Sequence, residues 1–276
     1  MKFGYQTNTW GGVVGHPAGV TSIKDLFYLT NGSDEEAIAD IAATGYQGVE
    51  LFDGNLVRYA DNPNQFVELL DKYHQNLIAV YSGINFIYKD ALEDEMWRIE
   101  QAAKLGQRFG ALHFVVGGGA IRASGVREED YVAVAKGLDR VAEVVSHYGL
   151  TPSYHPHLGT IGQSPEQIDR IFEHTQINFC PDTAHLVAGG ADLLDITAKY
   201  MDRVRYVHLK DLHNGEFLPL GKGDLPFDEL AQMLRRNGYD GWITVELDYY
   251  SGHPKDAARI SKSFLDEIFK NTTAVN

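Results

Sequence analysis

Residues 154–160 read YHPHLGT and set His155 and His157 two positions apart, just past an apolar run, in a chain with 11 histidines among its 276 residues. Other side chains able to do chemistry also follow short apolar or β-branched runs. They are Trp10, Glu50 in GVELFDG, His113 in ALHFVVGGG, Asp182 and His185 in FCPDTAHL, His208, Lys210 and Asp211 in YVHLKD, and Glu246 in ITVELD. Four of them, His155, Asp182, His208 and Glu246, fall one to each of the last four runs. Two imidazoles and two carboxylates make a nitrogen and oxygen set suited to one divalent ion such as Mn²⁺, Co²⁺, Zn²⁺ or Fe²⁺, and less suited to Ca²⁺ or Mg²⁺. His157, His185, Lys210, Asp211 and Glu50 would then surround the ion or meet a substrate. A lone histidine or glutamate at such a place is more often a hydrogen-bonded core or surface residue, and Asp182 three before His185 also reads as a helix N-cap. Four buried ionisable groups together each need a partner, and a shared cation supplies one.

The elements that must position these residues alternate. Short runs at 3–9, 48–52, 77–82, 111–116, 150–155, 177–181, 204–209 and 242–247 are separated by longer amphipathic segments. Ser33 with Glu36, and Ser164 with Pro165 and Gln167, have the spacing of helix starts. Apolar residues share one helical face over 96–109 and again over 131–148. The repeat of roughly 30 residues, about eight times over, fits a closed (β/α)8 TIM barrel. The expectation is a single α/β domain over 1–276, with a long loop after the first strand at about 10–33 that could act as a lid, and a terminal helix at about 254–270. An open doubly wound sheet binding a dinucleotide would want a glycine-rich first turn. None follows the first run here, and Gly117–Gly119 and Gly189–Gly190 read as turns. In a barrel, the residues at the C-terminal ends of the strands meet on one face.

The chain carries 24 Lys+Arg against 38 Asp+Glu, a net charge of −14, which opposes binding to nucleic acid or anionic membranes. No stretch approaches the roughly 20 apolar residues of a spanning helix, and the first residues lack the pattern of a signal peptide. A cytoplasmic location is expected. Cys180 is the one cysteine, so there is no internal disulfide and no cysteine-rich metal site.

Over nearly its whole length, from GYQTNTW through GYQGVEL, DTAHL, HLKD and GKGDLPFDEL to GYDGWITVEL, the sequence resembles the xylose isomerase-like TIM-barrel superfamily. This group includes sugar-phosphate isomerases/epimerases, hydroxypyruvate isomerases and inosose dehydratases. The resemblance implies metal ligands at Asp182, His208 and Glu246 and a substrate-contacting histidine at His185. It departs from the sugar 3-epimerases at the fifth strand, where they usually carry a glutamate and this chain has His155. The YHPHLGT, DTAHLVAGG, VHLKD and GWITVE stretches instead look like those of the inosose (2-keto-inositol) dehydratases, which would make His155 a ligand and turn His157 toward substrate.

The activity this implies is a metal-dependent lyase on a cyclic keto-polyol or keto-sugar, acting through an enediolate stabilised by one divalent ion, with Mn²⁺ or Co²⁺ favoured and Zn²⁺ or Fe²⁺ compatible. His157, His185, Lys210 and Glu246 are the candidate acid–base residues, with His157 or His185 favoured for proton transfer. Lys210 and Glu50 are expected to bind substrate hydroxyls, His113 and Asp211 to contact substrate, and Trp10 to wall the ring. A keto-sugar isomerase or epimerase is the alternative. An abasic-site endonuclease of the same superfamily would need a cationic groove, which the net charge opposes. A catalytically silent sugar-binding barrel would hold no metal tightly. The expected partner is a small carbohydrate, and the superfamily resemblance implies a possible homo-oligomer.

Overall fold

Strands covered on both faces read as apolar runs without alternation, and the strands of this chain follow that rule. A computed structural model describes residues 1–11 and 27–270. The first strands are β1 (Lys2–Gln6), β2 (Gly48–Phe52), β3 (Asn76–Ile84), β4 (His113–Gly118) and β5 (Thr151–Tyr154). They are followed by β6 (Asn178–Phe179), β7 (Val207–Leu209), β8 (Asp211–His213), β9 (Glu216–Leu218) and β10 (Trp242–Val245). The helices of the first half are α1 (Asp34–Ala43), α2 (Asp53–Val57), α3 (Pro63–Tyr73), α4 (Lys89–Arg108) and α5 (Glu128–His147). Those of the second half are α6 (Pro165–Phe172), α7 (Thr183–Ala188), α8 (Leu193–Lys199), α9 (Phe227–Arg236) and α10 (Pro254–Lys270).

Eight of the strands form one parallel sheet in the order β6-β5-β4-β3-β2-β1-β10-β7. Its two edges meet through isolated parallel bridges, Phe179 with Val204 and Asp182 with His208, so the sheet closes on itself. β8 and β9 stand apart as an antiparallel hairpin that follows β7. The expected (β/α)8 barrel is therefore present. The helix signals at 96–109 and 131–148 fall within α4 and α5, which start earlier than periodicity alone indicates. Residues 12–26, the greater part of the expected 10–33 loop, lie outside the described residues, and the lid reading lies there with them. Among the described residues no helix is long and apolar enough to cross a membrane.

Local signals account for the helix starts. The Ser33 hydroxyl accepts from the Glu36 amide at 3.2 Å. At α6, the Ser164 hydroxyl accepts from the Gln167 amide while the Gln167 side chain accepts from the Ser164 amide at 3.1 Å. Each such cap contributes about 1 kcal/mol. The main core lies between sheet and helices, where Ile38, Ile41, Ile99, Leu138, Val141 and Ile168 pack against Val49, Val80, Val116 and Tyr154. Burying each aliphatic side chain of this kind stabilises the fold by roughly 1.5–3 kcal/mol.

A second cluster, Phe52, Ile78, Tyr81, Val115, Cys180, Tyr206 and Trp242, fills the inside of the barrel. There the backbone must stay bare in places: a Cβ on Gly117 would run into the Tyr81 hydroxyl. This apolar filling forms a floor, and the polar residues sit above it at the C-terminal ends of the strands.

Candidate metal centre

His155, Asp182, His208 and Glu246 each offer one ligand atom to a group in which all such atoms lie within 4.8 Å of one another, and all four residues are buried. The cluster follows from the strand register. Thr244 of β10 pairs with His208 of β7, which puts Glu246 just beyond it, and the Asp182 bridge to His208 brings in the residue after β6. The His155 amide donates to Val116 O at 2.9 Å, which carries the ring past the end of β5.

His155 Nε2 is 3.5 Å from both Asp182 Oδ2 and Glu246 Oε2, and His208 Nδ1 is 2.6 Å from Glu246 Oε2. None of these four atoms, His155 Nε2, Asp182 Oδ2, His208 Nδ1 and Glu246 Oε2, has a hydrogen-bond partner. Two donors held at about 2.1 Å around one tetrahedral ion stand roughly 3.4 Å apart. Leaving such groups buried and unpaired costs roughly 1–3 kcal/mol each. Converging orphan donors of this spacing and chemistry fit a divalent cation.

The electrostatics agree. Burial works against a proton on His208, but the carboxylates of Glu50 and Glu246 outweigh it and hold the ring up to about 10. Burial likewise opposes charge on His155, and Asp182 and Glu246 raise it above its ordinary value. Burial also pushes Glu246 up, yet the charges of Lys210 and His208 prevail and keep its carboxyl well below the usual range. A site that draws protons onto its imidazoles in this way is built to attract a cation.

Asp182 does two jobs. Its Oδ1 accepts from the His185 amide at 2.9 Å and caps α7, while Oδ2 faces the cluster. The N-cap reading and the ligand reading of this residue are both satisfied, each by a different oxygen.

Several residues expected to meet substrate sit elsewhere. Glu50 is fully buried beneath His208: it accepts from His208 Nε2 at 3.0 Å and from Gln6 Nε2 at 2.5 Å. It therefore orients the imidazole so that Nδ1 faces the other donors, and its carboxylate is used up in doing so. Replacing Glu50 with Gln is expected to weaken metal binding by about 10–100-fold. A metal titration of the variant checks this, and unchanged affinity would remove Glu50 from that role.

His113 opens β4 instead of closing it, so it lies half-buried at the opposite end of the barrel from the cluster, with its ring 4.7 Å from that of Tyr206. Burial pushes it down to about 4. Asp211 is taken up by backbone: it accepts from the amides of Leu212, Gly221, Gly223 and Leu225 at 2.9, 2.9, 2.7 and 3.3 Å and anchors the chain after the β8–β9 hairpin. Trp10 packs edge-on against Tyr5 and donates its indole N–H to Asp40 of α1 at 3.2 Å, on the outer side of β1. These three have their polar groups or faces spent on the scaffold.

Lys210, His157 and His185 do gather at the cluster. Lys210 is fully buried, with Nζ 3.1 Å from His185 Nε2, 3.2 Å from Glu246 Oε1 and 2.9 Å from Asp248 Oδ2. Burial opposes its charge, but Asp182, Asp248 and Glu246 outweigh burial and hold the ammonium well above its ordinary value. Its ammonium donates to His185, Glu246 and Asp248.

The rings of His157 and His185 lie against each other, centroids 3.7 Å apart and planes inclined at 39°. His157 Nδ1 donates to Leu158 O at 2.7 Å, which leaves Nε2 as the basic nitrogen. Burial, then the charges of His155 and Lys210, push this ring down to about 4, so it is neutral at neutral pH. Burial and the neighbouring His157 and Lys210 hold His185 well below its ordinary value. Its Nε2 accepts from Lys210, so the proton sits on Nδ1, which has no partner.

Asn8 and Asp248 were not singled out in the sequence. Asn8 Nδ2 donates to Asp248 Oδ1 at 3.3 Å, and both residues are buried beside Lys210. The signal for Asp248 was available, because two residues beyond Glu246 in an extended segment a side chain returns to the same side. Phe217, from the hairpin, lays its ring 4.9 Å from that of His185 and 4.8 Å from Lys210 Nζ.

A closed parallel barrel with a buried His, Asp and Glu cluster at its C-terminal ends defines the class: a TIM barrel whose donors are suitable for a metal. The chain belongs to the xylose isomerase-like TIM barrel family, whose model matches residues 38–268. Among its curated relatives is an inosose dehydratase of Geobacillus kaustophilus, 26% identical over 279 residues and covering 88% of this chain and 89% of that protein. Another is an inosose dehydratase of Lacticaseibacillus casei, 28% identical over 268 residues and covering 84% and 88%. Among solved structures, that of the IOLI protein with a bound zinc atom has the same fold, with a TM-score of 0.75 at 14% identity and coverage of 98% and 99%.

Proposed function

We propose that this protein is a metal-dependent dehydratase of a cyclic keto-polyol of the inosose kind, removing a proton α to a carbonyl and expelling the β-hydroxyl as water. The observation that carries this reading is the closely apposed, neutral His157–His185 pair beside four converging orphan donors, in a chain whose curated relatives include inosose dehydratases. His155 Nε2, Asp182 Oδ2, His208 Nδ1 and Glu246 Oε2 would hold the ion. When bound, a divalent ion such as Mn²⁺ or Co²⁺ supplies a Lewis acid for the negative charge that develops on the carbonyl and a neighbouring hydroxyl oxygen.

The remaining work falls to the chain's own groups. His157 Nε2 takes the α-proton, its ring held in orientation and tautomer by the Leu158 carbonyl. The Nδ1 proton of His185 goes to the departing hydroxyl, which leaves as water, while Lys210 passes a proton to His185 Nε2 and the ring stays neutral. Until that transfer Lys210 adds positive charge close to the enolate oxygens, and in a buried site such preorganised charge needs little reorganisation. Phe217 covers the Lys210–His185 contact.

The test is a panel of keto-inositols and keto-sugars incubated with the Mn²⁺- or Co²⁺-loaded protein and read by mass. Loss of one water from a keto-inositol is the expected result. A product of unchanged mass would assign the site to an isomerase or epimerase, and no turnover across the panel would sink both readings.

A further inference from the structure

Lys210 stands where a second metal ion could otherwise sit. His185, Glu246 and Asp248 offer ligand atoms that all lie within 4.8 Å of one another, and all three residues are buried. In their midst is the Lys210 ammonium, 3.1, 3.2 and 2.9 Å from His185 Nε2, Glu246 Oε1 and Asp248 Oδ2, and 3.6 Å from Asp182 Oδ2. Glu246 belongs to both groups through different oxygens, Oε2 toward His155 and His208, and Oε1 toward Lys210. The root of Lys210 is pinned as well. Its amide donates to Thr183 Oγ1 at 2.9 Å, and its carbonyl accepts from the same hydroxyl at 2.6 Å.

We propose that Lys210 is a built-in occupant of a second cation site, its ammonium standing in for a divalent ion and holding the centre to a single metal. This rests on the reading of the four-donor cluster as a one-ion site. The substitution has chemical consequences. An ammonium offers three N–H donors and no open coordination position, so it cannot bind and ionise a water as a metal does. Two ions about 3.5–4 Å apart favour attack on an ester by a metal-activated hydroxide. One ion beside an ammonium gives a Lewis acid next to a hydrogen-bond donor, without the second nucleophile. That pairing suits proton removal from a hydroxy-ketone and disfavours hydrolysis, and Lys210 would be the residue that commits the barrel to the former.

Counting ions separates the possibilities. Metal-stripped protein is titrated with Co²⁺, freed of unbound ion, and the cobalt per folded chain is measured by elemental analysis. Wild type is expected to hold one ion, Lys210→Met two, and Lys210→Met with Asp248→Asn one again. A Lys210→Met protein that stays at one ion overturns the proposal, as does a wild type that takes up two with Lys210 in place. A wild type that takes up none overturns the one-ion reading beneath it. If Lys210→Met does not fold, Lys210→Gln serves in its place with the same expected count, and the wild-type saturation value still decides.

Discussion

Replacing His157 with glutamine is expected to lower turnover by about 10²–10⁴-fold, the usual worth of a general base, while leaving the bound metal in place. The two halves of this expectation come from different contacts. The ring's Nδ1 is committed to the Leu158 carbonyl, so only Nε2 remains to take a proton, and a glutamine amide cannot take one. None of the four orphan donors belongs to His157, so metal content should not change. His185→Gln is the informative companion. Its Nε2 is already occupied by Lys210, which leaves His185 a donor, and its loss should cost less than that of His157. Steady-state turnover of both variants with metal analysis checks the order. If His185→Gln proves the more damaging, or if His157→Gln loses its metal, the assignment of the base is wrong.

The second large effect falls on Asp182, whose two oxygens can be separated by substitution. Asp182→Ser keeps an N-cap for α7, because a serine hydroxyl can accept from the His185 amide, but it removes a carboxylate from the cluster. The metal should be lost and turnover with it, by more than the roughly 10–100-fold that losing an outer partner costs. Asp182→Ala loses the cap as well and should be about 1 kcal/mol less stable than the serine variant when both are metal-free. Metal analysis and denaturant unfolding of the pair give both results. A serine variant that retains its ion and its activity would remove Asp182 from the ligand set.

The barrel and its four converging residues were legible because both rest on a repeat. A strand covered on both faces has to be an apolar run, and in a parallel barrel the residue after each run must arrive on the same face. What could not be read was where each strand begins and which way its last side chains turn. The run at 111–116 looks like a strand from its first residue, but β4 starts only at His113, which drops that ring to the floor of the barrel. Glu50, expected at a strand end, lies in the middle of β2, and its carboxylate meets His208 and Gln6, a pairing across 158 and 44 positions that no local pattern reveals. Asp211 beside Lys210 in YVHLKD resembles a second functional charge. Only the later glycines at 221 and 223, folded back onto it, show that it serves the backbone.

The closure of the barrel has a consequence of its own. Seven of the eight neighbouring strand pairs are joined by ladders, and among the described residues the eighth seam is made by two isolated bridges, one of them Asp182 against His208. Both residues belong to the donor cluster, so a bound ion would rivet the join that closes the cylinder. Loading the centre then does more than ready it for chemistry, since it fastens the two ends of the sheet. Comparing wild type with the serine variant at position 182 in unfolding, each with and without metal, would measure that fastening as well as the loss of a ligand.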